Sequence, residues 1–223
     1  MSTTLRWTGL VLAVACSSAA QPPEHRAHDD RGEHGNPSDL QAYIRNLSDP
    51  TRDEWQMPAR VVAALGVQPG ETVCDIGAGP GYFTIRLGAA VGRTGHVYAV
   101  DVEPVILAAL RDRLDEAGVL NVTPVLALAG SPALPASTCD LALIVNTYHH
   151  FPDGPAYLRR LAGALKPGGR VANVDFRVGS TRGPRHKLSR EDFLAQATSA
   201  GYALEREESF LPDQYFVFLR PEG

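Results

Sequence analysis

Apolar positions follow two periods that alternate along most of the chain. Short apolar runs at 72–76, 96–100, 122–128, 141–146 and 170–176 have the length of buried strands. Between them, 82–90, 104–117, 155–165 and 189–200 place their apolar residues three and four apart, as amphipathic helices do. Tyr157, Leu158, Leu161, Ala162 and Leu165 show that spacing most clearly. Pro104 suits a first helical turn, Lys166–Pro167–Gly168–Gly169 closes the helix before it, and Ser189-x-x-Asp192 is a capping-box-like start for a helix closed by Gly201. Two final β-rich runs, 204–211 and 214–220, are joined only through Pro212–Asp213, which demands an antiparallel pair. Five strands alternating with helices predict a mainly parallel α/β sheet with helices on both faces, and the terminal hairpin adds one antiparallel strand. Upstream, a helical pattern starts at Leu40 and breaks near Ser48–Asp49–Pro50. A second helix, capped by Thr51 or Asp53, is predicted to run to Leu65. No internal repeat is visible.

The strand at 72–76 breaks into Asp75-x-Gly77-x-Gly79-x-Gly81 before the next helix. Glycines permit a tight turn and a close approach of backbone to ligand, and a helix start offers free N–H groups. A dinucleotide fingerprint needs its third glycine where this chain has Tyr82. Twenty residues beyond Gly81, Asp101 ends the second strand, where a carboxylate suits both hydroxyls of a ribose; the competing role is an N-cap for the helix at 104.

The glycine pattern resembles the first motif of the class I S-adenosylmethionine-dependent methyltransferases. Leu134–Pro135 ahead of Cys139–Asp140–Leu141, and Leu165-Lys-Pro-Gly-Gly-Arg-Val171, are similar to the small-molecule members of quinone and sterol type, and the likeness covers most of 52–220. It implies a Rossmann-like seven-stranded sheet with S-adenosyl-L-methionine as cofactor. It also implies that Asp75, Gly77, Gly79 and Gly81 face the methionine half, and Asp101 with Val102 the ribose and adenine. Where the family has Asp-Ala, this chain has Gly130–Ser131, so adenine recognition falls to Ser131 or backbone groups. In the family the region around Trp55 commonly forms a helix over the cofactor; the alternative is a packing helix anchored by that Trp.

The fourth strand ends in Asn146–Thr147–Tyr148–His149–His150–Phe151. Ligands of open α/β sheets sit beyond the strands' carboxyl ends, so this segment, with Asn146 on the cofactor side, is expected to face the transferring methyl. Tyr148, His149 and His150 are the candidate catalytic residues, either His as general base. The competing roles for the histidines are packing and hydrogen bonding to backbone. No carboxylate pattern accompanies them as a metal site would require, so no metal is expected. The Asn-Pro-Pro-Tyr type of nucleic-acid and protein amide methylation is not present.

Composition adds bounds. With 223 residues and 44% hydrophobic content, one globular domain has ample core material. A net charge of -4 and a pI near 6.0 argue against nucleic acid as partner. Cys16, Cys74 and Cys139 show no metal-like spacing and suggest no disulfide framework; the last two read as small core residues. Residues 1–16 resemble a signal peptide ending in a bacterial lipobox, Leu12–Ala13–Val14–Ala15–Cys16, which implies export and membrane attachment through lipidated Cys16; the alternative is an ordinary frayed N-terminus or a wrongly chosen start, with the protein then cytoplasmic. The polar stretch 17–39 reads as a disordered tether whose His25, His28 and His34 are solvated rather than metal-binding, and 40–223 as the methyltransferase domain. Arg177, Arg182, Arg185, His186, Lys187 and Arg190 crowd the loop after the fifth strand, either solvated or drawing an anionic substrate or lipid head group. The expected activity is methylation of a small-molecule or lipid-like acceptor. A non-catalytic nucleoside-binding or scaffold protein of the same fold is the alternative, and a nicotinamide-dependent oxidoreductase a distant third.

Overall fold

In the computed structural model, described here for Met1 and residues 37–222, β1 (Thr72–Ile76) lies inside a seven-stranded sheet. Its neighbours are β2 (His96–Asp101) and β4 (Cys139–Val145), both parallel to it. β3 (Val122–Leu126) and β5 (Leu165–Phe176) extend the parallel run on either side. β7 (Gln214–Pro221) then pairs antiparallel with β5, and β6 (Tyr202–Glu208) antiparallel with β7, giving the order β3-β2-β1-β4-β5-β7-β6. The expected fold is therefore present, terminal hairpin included. The order reverses between β1 and β4, and a cleft opens there at the strands' carboxyl ends.

Strand residues alternate between two cores. Cys74 and Ile76 pack toward α6 (Gly154–Ala164) and α7 (Arg190–Ser199), whereas Val73 packs toward α3 (Pro58–Leu65) and α4 (Thr84–Val91). α5 (Pro104–Ala117) seats Leu107, Leu110 and Leu114 against Ala78 and Ala99. The cap expected for α7 is present: Ser189 Oγ accepts from the Asp192 N–H at 3.0 Å.

Three expectations are corrected. The helix expected through Leu65 is two helices, α2 (Arg52–Gln56) and α3, separated at Met57 with φ 44°. Pro58 explains the break, because its ring disfavours helical backbone at the preceding residue while suiting the first turn of a new helix. The helix after the glycines starts at Thr84 rather than at 82. The third concerns cysteine: Cys74 and Cys139 are joined in a disulfide with Cα atoms 5.8 Å apart, both wholly buried. Their 65-residue separation hides the pairing, since only the strand order brings β4 beside β1.

The signal-peptide and lipobox reading, Cys16 and the three tether histidines lie outside the described residues. Of the stretch assigned to the tether, Asp39 caps α1 (Leu40–Leu47) by accepting from the Ala42 N–H, and Pro37 lines the cleft. Among the described residues no helix is long and apolar enough to cross a membrane.

Candidate active site

The cleft has a volume of about 480 Å³, within the roughly 300–1,000 Å³ common for small-molecule sites. Its floor is the glycine turn. Gly77 and Ala78 N–H groups both donate to the Val100 carbonyl, at 2.8 and 3.0 Å, which fastens the turn to β2. Gly77 has φ 73°, and a Cβ there would run into the Thr147 side chain, so this position admits only glycine. Gly81 serves differently: it abuts Leu110 of α5 and is not part of the cleft wall, so its lack of a side chain serves helix packing.

Two carboxylates stand on this floor. Asp75 is buried at the end of β1 and accepts from Thr84 Oγ1 at 2.6 Å. Burial pushes its carboxyl up to about 7; the Thr84 bond opposes the rise and the nearby Asp101 charge adds to it. Asp101, at the end of β2, accepts from the Gly79 N–H at 2.9 Å through Oδ2 and from the Glu103 N–H at 3.0 Å through Oδ1. Burial raises its carboxyl too, and the backbone N–H groups of Glu103, Gly79 and Val102 offset part of that. The N-cap of α5 is Glu103, so Asp101 braces the turn before the helix rather than capping it. With three backbone N–H groups directed at it, the carboxylate still keeps lone-pair capacity for a ligand.

Beyond Asp101 and Val102 the wall is apolar, with Ile106, Ala127 and Leu128. Ser131 is not in that wall; its hydroxyl accepts a 3.4 Å contact from the Ala133 N–H. The roof is α1 and α2, which contribute Tyr43, Asn46, Leu47, Arg52 and Trp55. Arg52 lies 4.0 Å above the Tyr82 ring and donates to neutral acceptors, the Leu47 carbonyl and Gln56 Oε1. Burial lowers its guanidinium.

At the end of β4, Asn146 lines the cleft with φ 53°. His149 follows in a single 3-10 turn, Tyr148–His150, and its Nδ1 lies 2.9 Å from both oxygens of Asp175 on β5. Both partners are almost wholly buried, at 9% and 3% side-chain exposure, so the pair is held without water between them. The His150 ring lies 4.2 Å from that of His149 and also lines the cleft. Tyr148 is not on the cleft wall: it is buried against Phe193, and its hydroxyl donates to Gln196 Oε1. Asp175 had a legible signal, an acid one residue from the end of β5, set between apolar Val174 and Phe176. The basic loop reaches the cleft through Gly183 and Pro184, while Arg182 pairs with Asp213 and Arg190 with Glu207. Trp55, Phe176, Gly183 and Pro184 make this rim apolar, the two rings 5.8 Å apart.

Residues 73–169 match the family model described as a methyltransferase domain. The ubiquinone/menaquinone biosynthesis C-methyltransferase UbiE of Vibrio vulnificus is 34% identical over 112 residues, covering 50% of this chain and 43% of the relative. Its Escherichia coli O1:K1 counterpart is 35% identical over the same length, covering 50% and 45%. The chain thus spans less than half the length of these curated relatives. Among solved structures, a SAM dependent methyltransferase from Aquifex aeolicus superposes with a TM-score of 0.76 at 26% identity, covering 80% of this chain and 96% of that one. The [4+2]-cyclase SpnF, at 16% identity, TM-score 0.64 and 75% and 82% coverage, shares the fold. Residues 73–169 thus resemble a methyltransferase domain, and S-adenosylmethionine is the cofactor these relationships imply.

Proposed function

We propose that this chain, whose residues 73–169 match a methyltransferase domain, moves a methyl group from S-adenosylmethionine to an ionisable hydroxyl on a small or lipid-like apolar acceptor. The observation that carries the reading is the buried His149–Asp175 pair on the wall of a cleft whose floor is the glycine turn and Asp101. The residues fit the cofactor. Asp101 would hold the ribose hydroxyls through its remaining lone pairs, and Ile106 and Leu128 would flank the adenine. Asp75 would face the ammonium group and Arg52 the carboxylate of the methionine half. With Ser131 outside the wall, backbone groups would serve the adenine edge.

Bound, the cofactor supplies an electrophilic methyl on sulfonium that a nucleophile takes in line. His149 does the proton work. Its Nδ1–H donates to Asp175, which fixes the tautomer and leaves Nε2 to accept the proton of the acceptor hydroxyl. The acceptor's proton would come to rest on His149, where the Asp175 carboxylate would stabilise the imidazolium. Trp55 and Phe176 keep water from the nucleophile and favour a flat apolar body. A buried His–Asp pair on the cleft wall supports catalysis over the non-catalytic alternative, which needs only the cofactor half of the cleft. The test is release of S-adenosylhomocysteine when the chain is incubated with the cofactor and a panel of phenols, quinols and lipid extracts. Turnover that His149→Ala abolishes supports the reading; binding without turnover on every member favours the alternative.

We also propose that the protein is exported and anchored through Cys16. The disulfide between Cys74 and Cys139 supports this, because such bonds persist in oxidising compartments. Mass spectrometry of the mature N-terminus decides: a lipidated Cys16 is expected, and an intact Met1 ends the idea.

A further inference from the structure

Three side-chain amides close into a ring beside the His149–Asp175 pair. Gln56 Nε2 donates to Gln214 Oε1 at 2.6 Å, Gln214 Nε2 donates to Asn146 Oδ1 at 2.6 Å, and Asn146 Nδ2 donates back to Gln56 Oε1 at 3.3 Å. Gln56 and Gln214 are wholly buried, at 0% exposure. The three come from distant parts of the chain: the roof helix α2, the first residue of β7, and the end of β4.

Burying an amide is costly unless its polar atoms are paired, and a partly satisfied network is worse than an apolar core. A ring in which each member gives one N–H and receives another meets that condition only when all three are present. What it adds over apolar packing is direction. Asn146 holds a left-handed backbone at the point where β4 turns into the His149 segment, and two ring bonds fix its side chain there. α2 has only five residues, too few to persist as a helix alone, yet it carries Arg52 and Trp55 over the cleft. Gln56 ties it to the sheet, and Arg52 Nη2 donates to the same Gln56 oxygen at 3.3 Å.

We propose that Gln56 and Gln214 are positioning residues of the transfer site: the amide ring fastens the α2 cover across the cleft and holds Asn146 in its working orientation. A bound cofactor therefore leaves slowly, because escape under the roof requires the ring to open. The proposal rests on the cofactor reading above, and its test separates the two. Gln56→Met, Gln214→Met and the double variant of the full chain are compared by stopped-flow release of S-adenosylhomocysteine, and by hydrogen exchange of the amides of residues 52–57 without ligand. Each single variant is expected to release the ligand at least tenfold faster and to lose protection over 52–57, while β1 and β4 amides stay protected. The double variant should match the singles within about twofold, since losing any member opens the ring. Release and exchange at the wild-type level, or effects that multiply in the double variant, overturn the proposal. Loss of protection throughout β1 and β4 overturns it also, by marking the ring as a general support of the fold. The exchange arm needs no ligand, so it judges the latch even if S-adenosylhomocysteine does not bind.

Discussion

The N–H of Gly79 donates to Asp101 Oδ2 at 2.9 Å, so the glycine turn and the tip of the neighbouring strand are one hydrogen-bonded unit. One side chain thus both shapes the floor and presents charge to whatever lies on it. Asp101→Asn keeps an acceptor for Gly79 but removes the charge, and is expected to weaken S-adenosylhomocysteine binding by about 1.5–3 kcal/mol, the scale of hydrogen bonds to charged groups. Asp101→Ala should lose at least as much and also lower the unfolding midpoint, because the Gly79 and Glu103 N–H groups lose their partner. Calorimetry checks both. Unchanged affinity in Asp101→Asn would leave Asp101 as a brace of the turn and nothing more.

Asp75, in its proposed place facing the cofactor's ammonium group, should make cofactor binding depend on pH. Its carboxyl is raised to about 7 in the free protein, chiefly by burial. For an acid raised above its unfolded value, the protonated form is favoured in the fold; its stabilising contribution is whole below about pH 4 and is lost as pH climbs toward 7. The cofactor's ammonium group favours the ionised form instead. S-adenosylmethionine should therefore bind more tightly as pH rises from 6 to about 7.5, taking up no further gain above, and should release a proton on binding below pH 7. Calorimetry in buffers of different ionisation enthalpy counts that proton. Asp75→Asn should release none, and a wild-type protein that also releases none would remove Asp75 from the cofactor's neighbourhood.

The His149–Asp175 pair predicts a split between turnover and binding. His149→Ala should lower kcat by roughly 10²–10⁴-fold, the usual worth of a positioned general base. Asp175→Asn should lower it by about 10-fold or more, because an amide no longer holds the charged imidazole or enforces one tautomer. Affinity for S-adenosylhomocysteine should change less than about threefold in both. Equal losses of turnover and affinity would make the pair part of the scaffold.

How much of this was visible in the chain differs by kind of feature. Alternation of the two periods is local, and it located every strand and the antiparallel ending, because the terminal connection is too short for anything else. The break at Met57 was also local, written in Pro58, but the apolar spacing on both sides masked it. The disulfide and the amide ring were hidden for another reason. Cys74 meets Cys139, and Gln56 meets Gln214, only after the sheet has placed β4 beside β1 and β7 beside β5. Of the adjacent pair Tyr148–His149, only geometry tells that the tyrosine turns into the core and the histidine lines the cleft. Ser131 fails similarly, since the chain turns it out of the wall just after Ala129.

The disulfide joins the two strands that carry the site, β1 leading to the glycine turn and β4 leading to His149. Closing a 65-residue loop removes unfolded-state freedom worth about 4 kcal/mol in the chain-entropy account. Replacing both cysteines by alanine should lower the unfolding midpoint by roughly 8–15 °C, at 2–4 °C per kcal/mol for a domain of this size. Both sulfurs are wholly buried, so a reductant should act slowly on the native chain and quickly once a denaturant opens the core. The register of β1 on β4 is fixed independently by the backbone ladder from Val73↔Leu141 to Ile76↔Ile144. Affinity for S-adenosylhomocysteine at 25 °C should therefore survive the double substitution. A midpoint that does not move would mean that the bond closes no loop the unfolded chain explores; a lost affinity would mean that the bond, and not the ladder, sets the distance between the glycine turn and His149.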